Sequence, residues 1–229
     1  MNEILRRPLI RAFLEAPLSG PEIEAKSMEI IDREAPPHRF TPEEWQIVRR
    51  MIHTTGDFGI MKAIRFSPDA IAAGVAALHS CRSLIVDSNM IRSGISLARL
   101  RGVCGFYRKE SLICHIADED IERMARRTGL PRSLHAIDKA RPFLSGAIAA
   151  FGNAPIAMME LNRMIIEEEL RPAIVVAMPV GFVHVVESKE ELMALGVPYI
   201  TLAGRRGGSP LAVSVIHALC GLAETEKKI

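Results

Sequence analysis

The strongest constraint in this sequence is a succession of short apolar runs, each closed by a loop of small residues and followed by a helical pattern. SLIVD (83–87) ends in SNMIRSG, GAIAAF in GNAP, AIVVAM in PVGFV, and PYITLA in GRRGGS. SLICHI (111–116) is a further run, followed by the helix-like ADEDIERMARRTG and by another helix from Pro131. IMKAIRF reads as a strand ahead of a capped helix in SPDAIAAGVAALHSC. Runs this short and apolar suit strands covered on both faces. Their alternation with helices argues for an α/β chain with a mostly parallel sheet between helical layers.

The 229 residues, 48% of them apolar, suffice for one large core. The expected division is an N-terminal extension over 1–20 and a single domain over 21–229. The first twenty residues lack the apolar segment of a signal peptide. The most apolar stretch, PAIVVAMPVGFVHVV, is too short and too interrupted to span a bilayer. A soluble cytoplasmic protein without membrane contact is expected. Net charge is only +2, with one Trp, two Tyr and no basic tail, which argues against a nucleic-acid partner. Cys81, Cys104, Cys114 and Cys220 follow no metal or redox spacing and read as reduced thiols. No His/Cys spacing makes a metal site, and no GxSxG elbow is present.

In a parallel sheet the four small-residue loops emerge together at the carboxyl edge, where ligands bind and helix N-termini offer N–H groups. Glycine and proline also make ordinary tight βα turns, so one such loop means little, but four together point to close approach of a ligand. GRRGGS has glycine N–H groups, two guanidinium groups and a following helix, an arrangement that suits carboxylates as well as phosphates. It lacks the spacing of a dinucleotide or Walker loop. Arg92 in SNMIRSG offers a further cation.

One histidine stands out. A helix is expected over roughly 21–34, ended by Pro36-Pro37. A second starts at Thr41-Pro42-Glu43-Glu44, with Thr41 as N-cap, Pro42 in the first turn and Glu44 completing a capping box. Trp45, Val48 and Ile52 mark its buried stripe. At about 100° per residue, His53 falls about 80° from Trp45, at the stripe's edge. The stretch RRMIHTTGDFG places it behind Arg49 and Arg50, with Asp57 as a group to orient it. Histidines usually have no catalytic role, but this neighbourhood offers a proton donor or acceptor near neutral pH.

Taken in order, SMEIID, RRMIHTTGDF, FSPD, DSNMIRSGI, GNAP, MPVGFV, ESKEEL, GVPY and GRRGGS resemble the precorrin-8X methylmutase family, from about Ile23 to Ala223. The resemblance implies a three-layer α/β/α sandwich with a flavodoxin-like sheet. It also implies an isomerase that moves a methyl group from C-11 to C-12 of a precorrin-8 tetrapyrrole. Family members are homodimers with the site near the subunit interface, and they use no cofactor. The family's catalytic histidine falls on His53, with Arg50, Ser27 and Arg132 at matching positions. Arg92, Asn153, Gly181, Arg205, Gly207 and Gly208, all in the carboxyl-edge loops, complete the expected substrate contacts. The family's Thr-Arg-Ser motif reads Pro131-Arg132-Ser133 here, so a hydroxyl is missing. His184 and His217 also depart from the family pattern; packing roles are expected for both, with the pocket wall or the dimer contact as the alternative. A non-catalytic corrinoid carrier of the same fold is the alternative.

Overall fold

The structure is a computed structural model and describes residues 8–226. The chain parts at His38–Arg39 into two compact units. The first contains α1 (Leu9–Glu15) and α2 (Gly20–Glu34). A capping box between Ser19 and Glu22 starts α2, within one residue of the expected boundary. Of the segment read as an extension, residues 1–7 lie outside the described residues and α1 makes the rest partly helical.

The second unit opens with α3 (Pro42–Thr55), where the Thr41–Glu44 capping box is formed as expected. Gly56 ends it in the left-handed conformation (φ 65°), its N–H donating to the Ile52 carbonyl at 2.7 Å. The buried face is Ile47, Val48, Met51 and Ile52, while Trp45 is half-buried and stacks on Phe40. The expected strand IMKAIRF divides in two: a helical turn, α4 (Ile60–Ala63), then β1 (Ile64–Phe66). The apolar residues Ile60, Ala63 and Ile64 have helical spacing, which the strand reading overlooked.

There follow α5 (Ala70–His79), β2 (Leu84–Val86), α6 (Asn89–Gly94), α7 (Leu97–Val103) and β3 (Leu112–Ile113). Next come α8 (Glu119–Thr128), α9 (Arg132–Leu144), β4 (Ile148–Phe151) and α10 (Pro155–Glu167). The chain continues through β5 (Ile174–Ala177), α11 (Val185–Ala194), β6 (Tyr199–Leu202) and α12 (Ser209–Glu226). SNMIRSG is therefore mostly helix rather than loop, and SLICHI contributes only two strand residues.

The six strands are ordered β1-β6-β5-β4-β2-β3. All neighbours pair in parallel except β1, which runs antiparallel to β6 at the edge. Setting β1 aside, the order is that of flavodoxin-like sheets, with the topological switch between β2 and β4. Alternate strand residues face opposite layers. Ile85, Ala149, Phe151, Val175 and Ala177 share one core with α9 and α10. α12 packs on the other layer against α3, α5, α6 and α7. The result is the expected three-layer sandwich.

The thiol expectation is only half met. Cys81 and Cys104 form a disulfide across 23 residues, with Cα atoms 5.9 Å apart, and Cys114 and Cys220 are free and buried. Contact between α5 and α7 brings the first pair together, which no local spacing could announce.

At the switch point the sheet supplies its own anion. Asp87, the first residue after β2, is 7% exposed. Its carboxylate accepts N–H bonds from Gly152 (3.1 Å), Asn153 (2.8 Å) and Ala154 (2.7 Å), the turn that follows β4. Burial pushes the Asp87 carboxyl above the usual carboxylate range, while these three donors pull the other way. Gly152 is required in this turn because a Cβ there would stand 2.6 Å from Ser209 Cα.

Two predictions follow from these local features. Asp87→Ala orphans three N–H groups and is expected to lower unfolding stability by about 3 kcal/mol, with partial recovery in formate, whose anion fits the vacated nest. A denaturant titration showing a loss below about 1 kcal/mol and no formate effect contradicts the role given to Asp87. His184 is exposed and held at φ 58°. Relief of that backbone outweighs the entropy of a glycine, so His184→Gly is expected to stabilise the fold by roughly 0.5–1 kcal/mol. An unchanged or lower unfolding midpoint contradicts this.

Candidate active site

His53 lies on the last turn of α3 and its side chain is exposed. It lines a cleft of about 290 Å³ together with Arg50, Met90, Gly94, Pro210 and His217. Three elements make this cleft. The apolar face of α3 packs on α12 and leaves His53 at the margin of the contact. α6 follows β2 and α12 follows β6, so both helices begin at the carboxyl edge of the sheet. Gly94 lets them close on each other, since a Cβ there would stand 2.9 Å from Val213 Cγ2. The helix carrying His53 thus presents it to the side of the sheet where the four loops emerge.

His217 lines this cleft, the alternative to the packing role that was favoured for it. Its Nε2 accepts the Ser96 N–H at 2.9 Å, so that nitrogen carries no proton in this arrangement. Asp57 does not take the orienting role read from its spacing. Its carboxylate pairs with Arg206 at 2.7 Å and accepts the Gly59 N–H at 2.7 Å.

The carboxyl edge differs in character from what four open N–H nests would provide. The Asp87 carboxylate occupies the turn after β4. The Gly208 N–H donates to the Met178 carbonyl at 2.7 Å, and the Gly181 N–H to the Arg205 carbonyl at 3.3 Å. A Cβ on Gly207 would stand 2.3 Å from the Met178 oxygen and 2.4 Å from that of Pro179. The glycines therefore serve a close approach of the loops to one another. Ser88 and Ser209 hydroxyls meet at 3.1 Å, joining the loop after β2 to that after β6.

The side chains left facing outward are the ones able to recognise a ligand. Arg205 is exposed, its guanidinium 5.2 Å above the ring of Phe182, which is itself 82% exposed. The Asn153 side chain is exposed even though its N–H bonds Asp87. Arg92 lines a neighbouring cleft of about 560 Å³ with Lys109 and Glu110. Arg132 is the exposed first residue of α9, in the opposite helical layer. Ser27 belongs to the N-terminal unit, where its hydroxyl bonds the Ile23 carbonyl at 2.8 Å. Of the expected site residues, the structure joins Arg50 and His53 in one cleft and strings Asn153, Gly181, Arg205, Gly207 and Gly208 along one sheet edge.

Sequence reading gave no role to two buried charged groups that shape this edge. Asp87 entered only as the end of a strand and the start of DSNMIRSGI, and Lys189 only as part of ESKEEL. Lys189 is 1% exposed and its ammonium donates to the Gly204 and Arg206 carbonyls at 3.0 and 2.7 Å. Neither contact is visible in local spacing. Among the described residues no group of three or more His, Cys, Asp or Glu could hold a metal ion. No described helix is long and apolar enough to cross a membrane.

Comparison with known proteins gives this geometry a family. The family model for precorrin-8X methylmutase matches residues 22–222. A cobalt-precorrin-8 methylmutase of Leptospira interrogans is 42% identical over 209 residues, covering 87% of this chain and 92% of that protein. Its counterpart from Priestia megaterium is 40% identical, covering 89% and 88%. The crystal structure of a precorrin-8X methylmutase from Thermus thermophilus superposes with a TM-score of 0.83 at 41% identity, covering 90% of this chain and 98% of that one. With His53, Arg50 and the carboxyl-edge loops all inside the matched span, the chain belongs to the precorrin-8X methylmutase family.

Proposed function

We propose that the protein is an isomerase of cobalamin biosynthesis that moves a methyl group from C-11 to C-12 of a precorrin-8 macrocycle. The observation that carries this is the pairing of His53 and Arg50 in a cleft open toward the carboxyl edge. In the reaction the bond from the methyl carbon to C-11 breaks as its bond to C-12 forms, with no net change of atoms. His53 hydrogen-bonds or protonates the ring C nitrogen, draws electron density toward it, and recovers the proton once the group has moved. The product is hydrogenobyrinic acid, or cobyrinic acid when cobalt is present. The relatives from Leptospira interrogans and Priestia megaterium are named cobalt-precorrin-8 methylmutases and the Thermus thermophilus protein, at 41% identity, a precorrin-8X methylmutase, so both forms of the substrate belong in the test.

Substrate recognition is assigned to side chains. The macrocycle carries carboxylates around its rim, and Arg50, Arg92, Arg132 and Arg205 are dispersed cations suited to it. Asn153 adds a polar contact, and Gly181, Gly207 and Gly208 shape the edge on which the disc rests. Ser27 is the remaining substrate contact that the family resemblance implies.

A homodimer completes the site in this reading. Drug-sized ligands occupy roughly 300–1,000 Å³, and the His53 cleft, at about 290 Å³, is small for a macrocycle. Val180, Phe182 and Val183 in the loop after β5 and Met90 on α6 are 45%, 82%, 69% and 65% exposed, an apolar rim that a second copy would cover.

Turnover is followed by the change in tetrapyrrole absorbance, with metal-free and cobalt-containing substrate in parallel. His53→Ala is expected to lower kcat by about 10²- to 10⁴-fold, the usual contribution of a general acid, with pigment binding retained. Wild-type turnover in that variant would remove His53 from the chemistry.

A further inference from the structure

Lys189 presents an unusual arrangement. It sits on α11 at 1% exposure, and its ammonium has two backbone carbonyls as partners and no ion pair with a described carboxylate. A buried ammonium without a counter-charge is costly, and apolar side chains of similar size usually fill such space with equal or better stability. Desolvation pulls its pKa down to about 8. Folding stability therefore does not explain a lysine here, and its partners do. Gly204 and Arg206 flank Arg205, and both of their carbonyls turn inward onto the one ammonium. The residue between them is the exposed Arg205, stacked over Phe182.

The rest of the loop is shaped to accept this grip. Gly204 and Gly208 have φ values of 79° and 127°, which side-chain-bearing residues rarely adopt. The close passage of Gly207 past Met178 and Pro179 fixes the loop on its sheet side. From the solvent side, the Arg206 guanidinium is held by Asp57, just beyond the helix that carries His53. Arg206 is thereby neutralised and Arg205 is left to face a ligand.

We propose that Lys189 is a positioning residue for substrate binding: by clamping the Gly204 and Arg206 carbonyls it holds the 204–208 loop in the shape that aims Arg205 at a carboxylate of the macrocycle. The proposal rests on the methylmutase reading above. Its buried charge also adds to the positive field at this edge without being reachable by the ligand.

A double-variant cycle with Lys189→Met and Arg205→Gln tests it, with KM and kcat measured for precorrin-8 turnover and thermal melting run alongside. Each single variant is expected to raise KM about tenfold, the worth of one charge-assisted hydrogen bond, with kcat within about twofold of wild type. The double variant is expected to match Lys189→Met alone, because the clamp acts through Arg205. A purely structural lysine would lower the melting temperature and leave KM unchanged, and an independent binding role would make the two effects multiply. Either result overturns the proposal. Should the methionine variant fail to fold, Lys189→Gln, too short to reach both carbonyls, takes its place in the same cycle with an expected rise of about threefold in KM; an unchanged KM there overturns it equally. Absence of turnover in the wild-type protein would instead count against the methylmutase reading itself.

Discussion

The buried Asp87 carboxylate in its nest of three N–H groups is the constraint from which the rest of the site follows. In a doubly wound sheet the switch point is where loops part and backbone donors face outward to bind a ligand's phosphates. Here an acid from the neighbouring strand end occupies those donors. The crevice is closed, β2 and β4 are tied together above the sheet, and the loops after β5 and β6 interlock beside them. In the proposed function a polyanionic ligand meets an edge where the N–H groups of Gly152, Asn153, Ala154, Gly181 and Gly208 already have protein acceptors. Selectivity passes to the side chains that this frame holds outward, and dispersed arginines suit carboxylates distributed around a disc better than one phosphate cluster does.

The helix that carries His53 reaches this edge by a separate route. The capping box at Thr41 and the left-handed Gly56 fix both ends of α3, and its apolar face locks it against α12. Since α12 starts at the last residue of GRRGGS, packing of α3 on α12 also sets the position of His53 relative to that loop. The Asp57–Arg206 pair adds a tether between the two, modest in energy because both partners are partly exposed, but specific in direction. One buried lysine and one surface carboxylate thus hold the same loop from opposite sides.

Much of this was readable from local pattern. Strands β2, β4, β5 and β6 and the loops after them follow from short apolar runs ended by Gly and Pro. The start of α3 follows from Thr-Pro-Glu-Glu, and the family from ordered motifs. Local pattern failed wherever a partner is distant in sequence. Asp87 meets residues 65 to 67 positions away. Lys189 meets carbonyls 15 and 17 positions away, and Cys81 finds Cys104 only through the packing of α5 on α7. The antiparallel edge strand β1 was hidden for a related reason: its pairing with β6 is a property of the sheet, while its own residues have helical spacing at the start. Asp57 illustrates the opposite error, since proximity in sequence to His53 suggested a contact that Arg206 takes instead.

The central claim is that the face of α3 bearing His53, and not the closed switch-point crevice, receives the tetrapyrrole. The most direct measurement is an NMR titration of protein carrying ¹⁵N-labelled histidine with hydrogenobyrinic acid. The chain has seven histidines, so each ring reports on its own surroundings. The largest ring-nitrogen shift is expected at His53, with a smaller one at His217 in the same cleft and none at His79. Saturable pigment binding by absorbance with the His53 resonance unmoved would contradict the account.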